Sequence, residues 1–151
     1  MTKFRMFGIH LDQFAILCED RKDEVGMNVS LNFKYGDEGK KVACVVSFDF
    51  TSESEKVMVL KMTCEFEIQE DDWKTLHNDK EVVIPKDLLE FFAVHTIGTA
   101  RGVLFCKTEN TQFNYIVIPP INVSEMGITD LIVKLEPKDR GCNLNCVKAC
   151  S

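Results

Sequence analysis

Alternating apolar and polar positions dominate the first half of the chain. In "VACVVSFDF", Val42, Cys44, Val46, Phe48 and Phe50 fall on one side at a period of two, and Ala43, Val45, Ser47 and Asp49 on the other, the pattern of a strand. In "VMVLKMTCEFEI", Met58, Leu60, Met62, Cys64, Phe66 and Ile68 oppose Val57, Val59, Lys61, Thr63, Glu65 and Glu67, which predicts a longer strand. The polar "TSESEK" between them reads as a hairpin connection, making the two antiparallel neighbours. Upstream, "NVSLNFKY" aligns Val29, Leu31, Phe33 and Tyr35, and "GDEGK" turns it into the next strand. The first strand starts near Phe4. Its apolar set shifts phase from Phe7, Ile9 and Leu11 to Phe14 and Ile16, which predicts a bulge between Asp12 and Phe14. "CEDRKDEVGM" is too long for a tight hairpin and predicts a charged crossing between the first two strands.

The period changes after Pro85, a residue suited to a helix's first turn. "KDLLEFFAVHTIGTARGVL" repeats Leu88, Leu89, Phe92, Val94, Ile97 and Val103 at helical spacing, predicting a helix from about Lys86 to about Cys106. Gly98 and Gly102 each cost about 1 kcal/mol relative to Ala inside a helix. Either a partner helix approaches closely on a side shared with Thr99 and Ala100, or the helix breaks there. "FNYIVIPPINVSEM" follows as an apolar arm stopped by two prolines. Ser124 and Glu125 then favour a short last helix in "SEMGITDLIVKL", while Gly127 and the β-branched Ile128, Thr129, Ile132 and Val133 leave an extended alternative open. "KDRGCNLNCVKACS" has almost no large apolar residues and reads as a mobile tail. The expected fold is α+β: a four-stranded antiparallel sheet, a long helix and a short terminal helix over residues 1–136, with a flexible tail at 137–151.

A chain of 151 residues, 45% hydrophobic, suits one domain with a real core. The net charge of −6 and scattered cations argue against a nucleic-acid partner. The N-terminal alternation lacks a signal-peptide core, and no apolar run reaches the roughly 18 residues of a membrane span. Those features, with seven cysteines, lead us to expect a cytoplasmic protein with free thiols, in which the "NVS" matches at Asn28 and Asn122 are coincidental.

No catalytic residue or cofactor is expected. The chain has no nucleophile elbow, phosphate-binding glycine loop, zinc-protease helix motif or dinucleotide fingerprint. His10, His77 and His95 are separated in sequence, and the acidic run in "EIQEDDW" reads as a solvated face. Cys142, Cys146 and Cys150 would align on one face of a helical tail, where they could hold a soft metal with a fourth ligand; adventitious thiols and redox pairing are the alternatives. Cys18, Cys44, Cys64 and Cys106 read as small buried hydrophobes. Eleven Phe and six Met are either ordinary core or an adaptable binding surface.

Four strands, a long helix, a proline link and a short last segment resemble the SecB-type export chaperones. The resemblance covers about residues 3–127. It rests on "FRMFGIHLDQFAI", the paired strands at 41–69 with Cys64 and Glu65, the helix ending in Arg101-Gly102, and "PPIN". "RGVLFCKTENTQFNYIVIPPINVSEM" looks closer still to divergent SecB-like proteins. The resemblance implies an ATP-independent holdase that binds unfolded polypeptide clients as a homodimer or homotetramer. Gly98, Ala100, Arg101 and Gly102 would lie at the oligomer interface, and Tyr115, Ile121, Val123 and Met126, with Phe33 and Tyr35 opposite, would wall a peptide groove. Gln13 and Leu17 stand where the family carries the acidic residues that dock the translocase motor, so a dedicated client such as an antitoxin is as consistent as general export. Two other classes stay open: a thiol or metal module working through the tail, and a binder of a single ligand or protein with a closed pocket.

Overall fold

The computed structural model describes residues 2–36, 38, 40–135 and, as backbone, 146–150. Four long strands, β1 (Phe4–Ile16), β2 (Gly26–Gly36), β3 (Lys41–Ser52) and β4 (Glu55–Ile68), form an antiparallel sheet in the order β1-β4-β3-β2. β1 and β2 lie on opposite sides of the β3–β4 hairpin, so the charged segment between them crosses the end of the sheet. The hairpin turns through Glu53 and Ser54, both at positive φ, the geometry whose twist matches the flanking strands.

The alternation read from the sequence sorts the two faces. Val42, Cys44, Val46, Phe48 and Phe50 of β3, the even-numbered set of β4 from Met58 to Ile68, and Val29, Leu31, Phe33 and Tyr35 of β2 are all buried on one face. The other face is polar, carrying the Arg5–Glu67 pair at 2.5 Å and a Thr63 hydroxyl donating to Asp12 at 2.5 Å. Val57 belongs by parity to that polar face, yet it is fully buried. A register shift between Phe50 and Thr51 makes it the extra residue of a bulge and turns it inward. β1 carries two such shifts, and the one between Leu11 and Gln13 matches the predicted change of phase.

The segment after β4 contains elements that periodicity did not reveal. α1 (Glu70–Thr75) is a short helix whose Trp73 is buried and stacks on Tyr35, with ring centroids 5.4 Å apart and planes 6° from parallel. β5 (Glu81–Ile84) pairs antiparallel with β6 (Leu131–Lys134) in a separate two-stranded sheet. The expected last helix is therefore reduced to a 3-10 turn at Val123–Glu125, and the β-branched run after Gly127 is extended, as its side chains prefer. Gly127 has φ +74°, a conformation that suits glycine at the turn between them.

α2 (Lys86–Thr108) packs over β3 and β4. Pro85 sits one position before the helix, as its N-cap, and the free amide of Lys86 donates to the Asp130 carboxylate at 2.7 Å. The helix runs unbroken through Gly98 and Gly102 and ends two residues beyond the predicted Cys106. Its inner face buries Leu88, Leu89, Phe92, Ala93, Thr96, Ile97, Ala100 and Leu104, with Phe92 stacked on Phe66 at 4.3 Å. By length and composition α2 is apolar enough to cross a bilayer. Its packing on the sheet accounts for that composition on the inner side only.

The tail expected to be mobile adds a strand within the described residues. β7 (Cys146–Cys150) pairs antiparallel with β2 at the outer edge of the main sheet.

Candidate functional site

The outer face of α2 is apolar and uncovered. Phe91, Val94 and Phe105 are 48%, 54% and 53% exposed. Their spacing places them on a stripe that also contains Gly98 and Gly102, where an added Cβ would meet nothing within 4 Å. A helix needs only one apolar stripe to pack on a sheet. Here, among the described residues, no element covers the second stripe.

A second exposed apolar set lies on β1. Ile9 pairs with Cys64 and Leu11 with Met62, so both side chains point to the α2 side of the sheet, where Ile9 is 55% and Leu11 40% exposed. β1 is the outermost strand there, and its far edge has no strand partner among the described residues.

The proline arm completes the surface by running antiparallel back along α2. Arg101 fixes its course: Nε donates to the carbonyl of Ile118 at 2.7 Å and Nη2 to that of Pro119 at 2.9 Å. Ile116 and Ile118 turn inward and Val117 outward. Between the end of the arm and the N-terminal half of α2 lies an open groove of about 450 Å³, lined by Asp87, Glu90, Phe91 and Val94 on the helix and by Ile121 to Ser124 on the arm. A smaller hollow of about 220 Å³ continues it past Ile97 and Arg101.

The residues expected at a peptide groove are distributed unevenly over this surface. Ile121 and Val123 line the groove, although Val123 is mostly buried. Met126 is buried behind it. Phe33 and Tyr35 are each 1% exposed and belong to the core, because the β2 face that carries them is the face α2 and Trp73 cover. Tyr115 lies at the opposite end of α2, where its hydroxyl donates to the carbonyl of Lys22 and Arg21 sits 4.2 Å above its ring. It anchors the crossing between β1 and β2, helped by Gln112 on the carbonyl of Glu19.

Of the expected interface residues, Gly98 and Gly102 are on the open face. Ala100 is buried against the sheet and Arg101 is engaged with the arm. The four are therefore not one surface: at 100° per residue, successive positions point to different sides. Phe91 and Phe105, which the sequence reading did not single out, are its most prominent members. The available signal was an excess of apolar residues over a single stripe.

Among the described residues no group of three or more His, Cys, Asp or Glu could hold a metal ion. Cys142 lies outside the described residues, and Cys146 and Cys150 are at the two ends of a strand rather than on a helix. Cys44 and Cys64 are buried cross-strand partners, Cys18 is half-buried and Cys106 is exposed, unlike the buried position expected for it. Burial pushes the Cys44 thiol up to about 12 and raises that of Cys64, so both stay protonated and unreactive. His10 reaches Glu65 at 3.3 Å, and His77 Nδ1 donates to the carbonyl of Trp73 at 2.7 Å. No family model matches the chain, and neither a curated protein nor a solved structure matches it.

Proposed function

We propose that this chain is a SecB-like, ATP-independent chaperone that holds extended or unfolded polypeptide by apolar contact, without covalent chemistry. The observation that carries the reading is the uncovered apolar face of α2, with two open glycines at its centre and a groove beside the proline arm. Exposed apolar residues gathered on one helix face are the kind of surface that marks an interaction site. The four-stranded antiparallel sheet followed by one long helix and a proline link is consistent with the resemblance to that family, with α1, β5, β6 and β7 added to it. Clients would enter the groove between Phe91, Val94 and Ile121, while the glycine-centred part of α2 and the edge of β1 would join copies of the chain into a homodimer or homotetramer. The cytoplasm is the compartment that suits such a holdase, with export or a dedicated client such as an antitoxin as its task. Gln13 lies on the polar face opposite Lys61 and Leu17 is half exposed, so neither supplies an acidic dock for a translocase motor.

The decisive measurement is light scattering from a chemically denatured client diluted into buffer. Stoichiometric amounts of this protein suppress the rise, and Phe91→Ser combined with Val94→Ser abolishes most of that suppression. Aggregation that proceeds at the same rate with and without the protein defeats the holdase reading.

A further inference from the structure

The two edges of the main sheet are built differently. The β1 edge is broken by two register shifts, which twist a strand away from further pairing. β2, by contrast, pairs with β3 without a shift over its whole length, from Gly26 opposite Thr51 to Gly36 opposite Lys41. An unbulged strand presents a regular outer edge of amides and carbonyls, the template on which another extended segment adds. On that edge lies β7, paired through Ser30 to Lys34, with Cys150 opposite Ser30 and Cys146 opposite Lys34.

β7 is also attached in an unusual way. It arrives from the far end of the chain, after β6 of the separate small sheet, and β2 is its strand partner. A five-residue edge strand makes few ladder bonds, so a longer extended segment held by the same protein at further points can compete with it for this edge.

We propose that the outer edge of β2 is a binding site for extended polypeptide backbone, filled in cis by the chain's own C-terminal strand and opened when that strand leaves. The proposal deepens the chaperone reading and rests on it for the identity of the incoming segment. Main-chain pairing is indifferent to most side chains, so the site would add sequence-tolerant affinity to the side-chain contacts in the α2 groove. It would also keep an aggregation-prone edge covered until a client arrives.

The test compares the full-length chain with the full-length V147P/K148P variant, in which neither parity of β7 can complete the ladder. Trp73 emission reports that the rest of the fold is intact. Two labelled probes are titrated: a synthetic peptide of residues 144–151, and a permanently unfolded client such as a reduced, carboxymethylated protein. The variant is expected to bind both at least tenfold more tightly than the parent chain, with new exchange protection at those amides of Ser30–Lys34 that point away from β3. Equal affinities for the two chains, or binding without that protection, overturn the edge site even when aggregation is still suppressed. Uptake of the peptide with β2 protection, without uptake of the client, upholds the edge site and overturns the chaperone reading instead.

Discussion

At the scale of single residues, two features are set by burial and one by geometry. Cys44 and Cys64 face each other across β3 and β4 beneath Thr96, in a place where a thiolate has no solvation. Alkylation of the native protein followed by peptide mapping is expected to label Cys106 within minutes and to leave Cys44 and Cys64 unmodified until denaturant is added. The same burial makes stability fall in alkali. Above pH 9 the unfolded chain releases the Cys44 proton, whereas the folded chain keeps it until about 12, so the native state binds more protons across that window and loses up to about 1.4 kcal/mol per pH unit for that thiol. Urea midpoints measured between pH 8 and 11 should decline in the parent chain and decline less in Cys44→Val. Arg101 matters through its fork rather than its charge, because two donors meet two successive carbonyls of the arm. Arg101→Ala should cost about 1.5–3 kcal/mol in urea unfolding, the usual range for charge-assisted bonds, and Arg101→Lys should recover less than half of it. Equal stability of all three chains would show that the arm holds its course without the guanidinium.

At the scale of elements, the four long strands were legible because one face is buried and the other wet, which imposes a strict period of two on Val42 to Phe50 and Met58 to Ile68. The helix was legible for the same reason at its own period. What escaped were pieces whose partners lie far away in sequence. Glu81–Ile84 has only three apolar residues in a row, too few to show a period, and it becomes a strand by meeting Leu131–Lys134. Trp73 sits in an acidic run whose composition suggests a solvated loop, and its burial follows from the stack on Tyr35. Phe33 and Tyr35 were assigned to a groove although their own alternation already placed them with the core set. Of the candidate surface, the glycines and Ile121 could be read from the chain. Phe91, Val94 and Phe105 could not be separated from core positions, since a second apolar stripe looks like a wider first one. The glycines carry a prediction at this scale. With open space at both, Gly98→Ala and Gly102→Ala should each stabilise the isolated helix by about 1 kcal/mol. If copies of α2 cross there, the same methyls hold the backbones apart, and the assembly should weaken while monomer unfolding shifts to higher denaturant. A gain in monomer stability with unchanged association would remove close helix crossing from the picture.

At the scale of the whole molecule, one polar sheet face and two exposed apolar sets divide the surface into parts that want water and parts that want cover. The polar face carries the Arg5–Glu67 ion pair and sets His10 beside Glu65. Ile9 and Leu11 sit on the edge strand, and Phe91, Val94 and Phe105 on the ridge of α2, so two separate contacts are available for assembly. Two independent two-fold contacts on one chain close into a tetramer when their axes cross at right angles, whereas one contact alone stops at a dimer. Solution mass should then report each contact in turn. The parent chain of 17.2 kDa is expected at four times that mass. Ile9→Lys with Leu11→Lys removes the β1 contact, Gly98→Glu with Phe105→Glu removes the α2 contact, and each pair should halve the mass, with all four substitutions together leaving a folded monomer. The order of affinities follows from the geometry: the register shifts in β1 leave that contact to the Ile9 and Leu11 side chains, whereas α2 offers a continuous face with two open glycines, so the dimer that survives dilution longest should be the one joined through α2. A parent chain that runs as a strict monomer at every concentration would sink the assembly and leave the open face of α2 to clients alone.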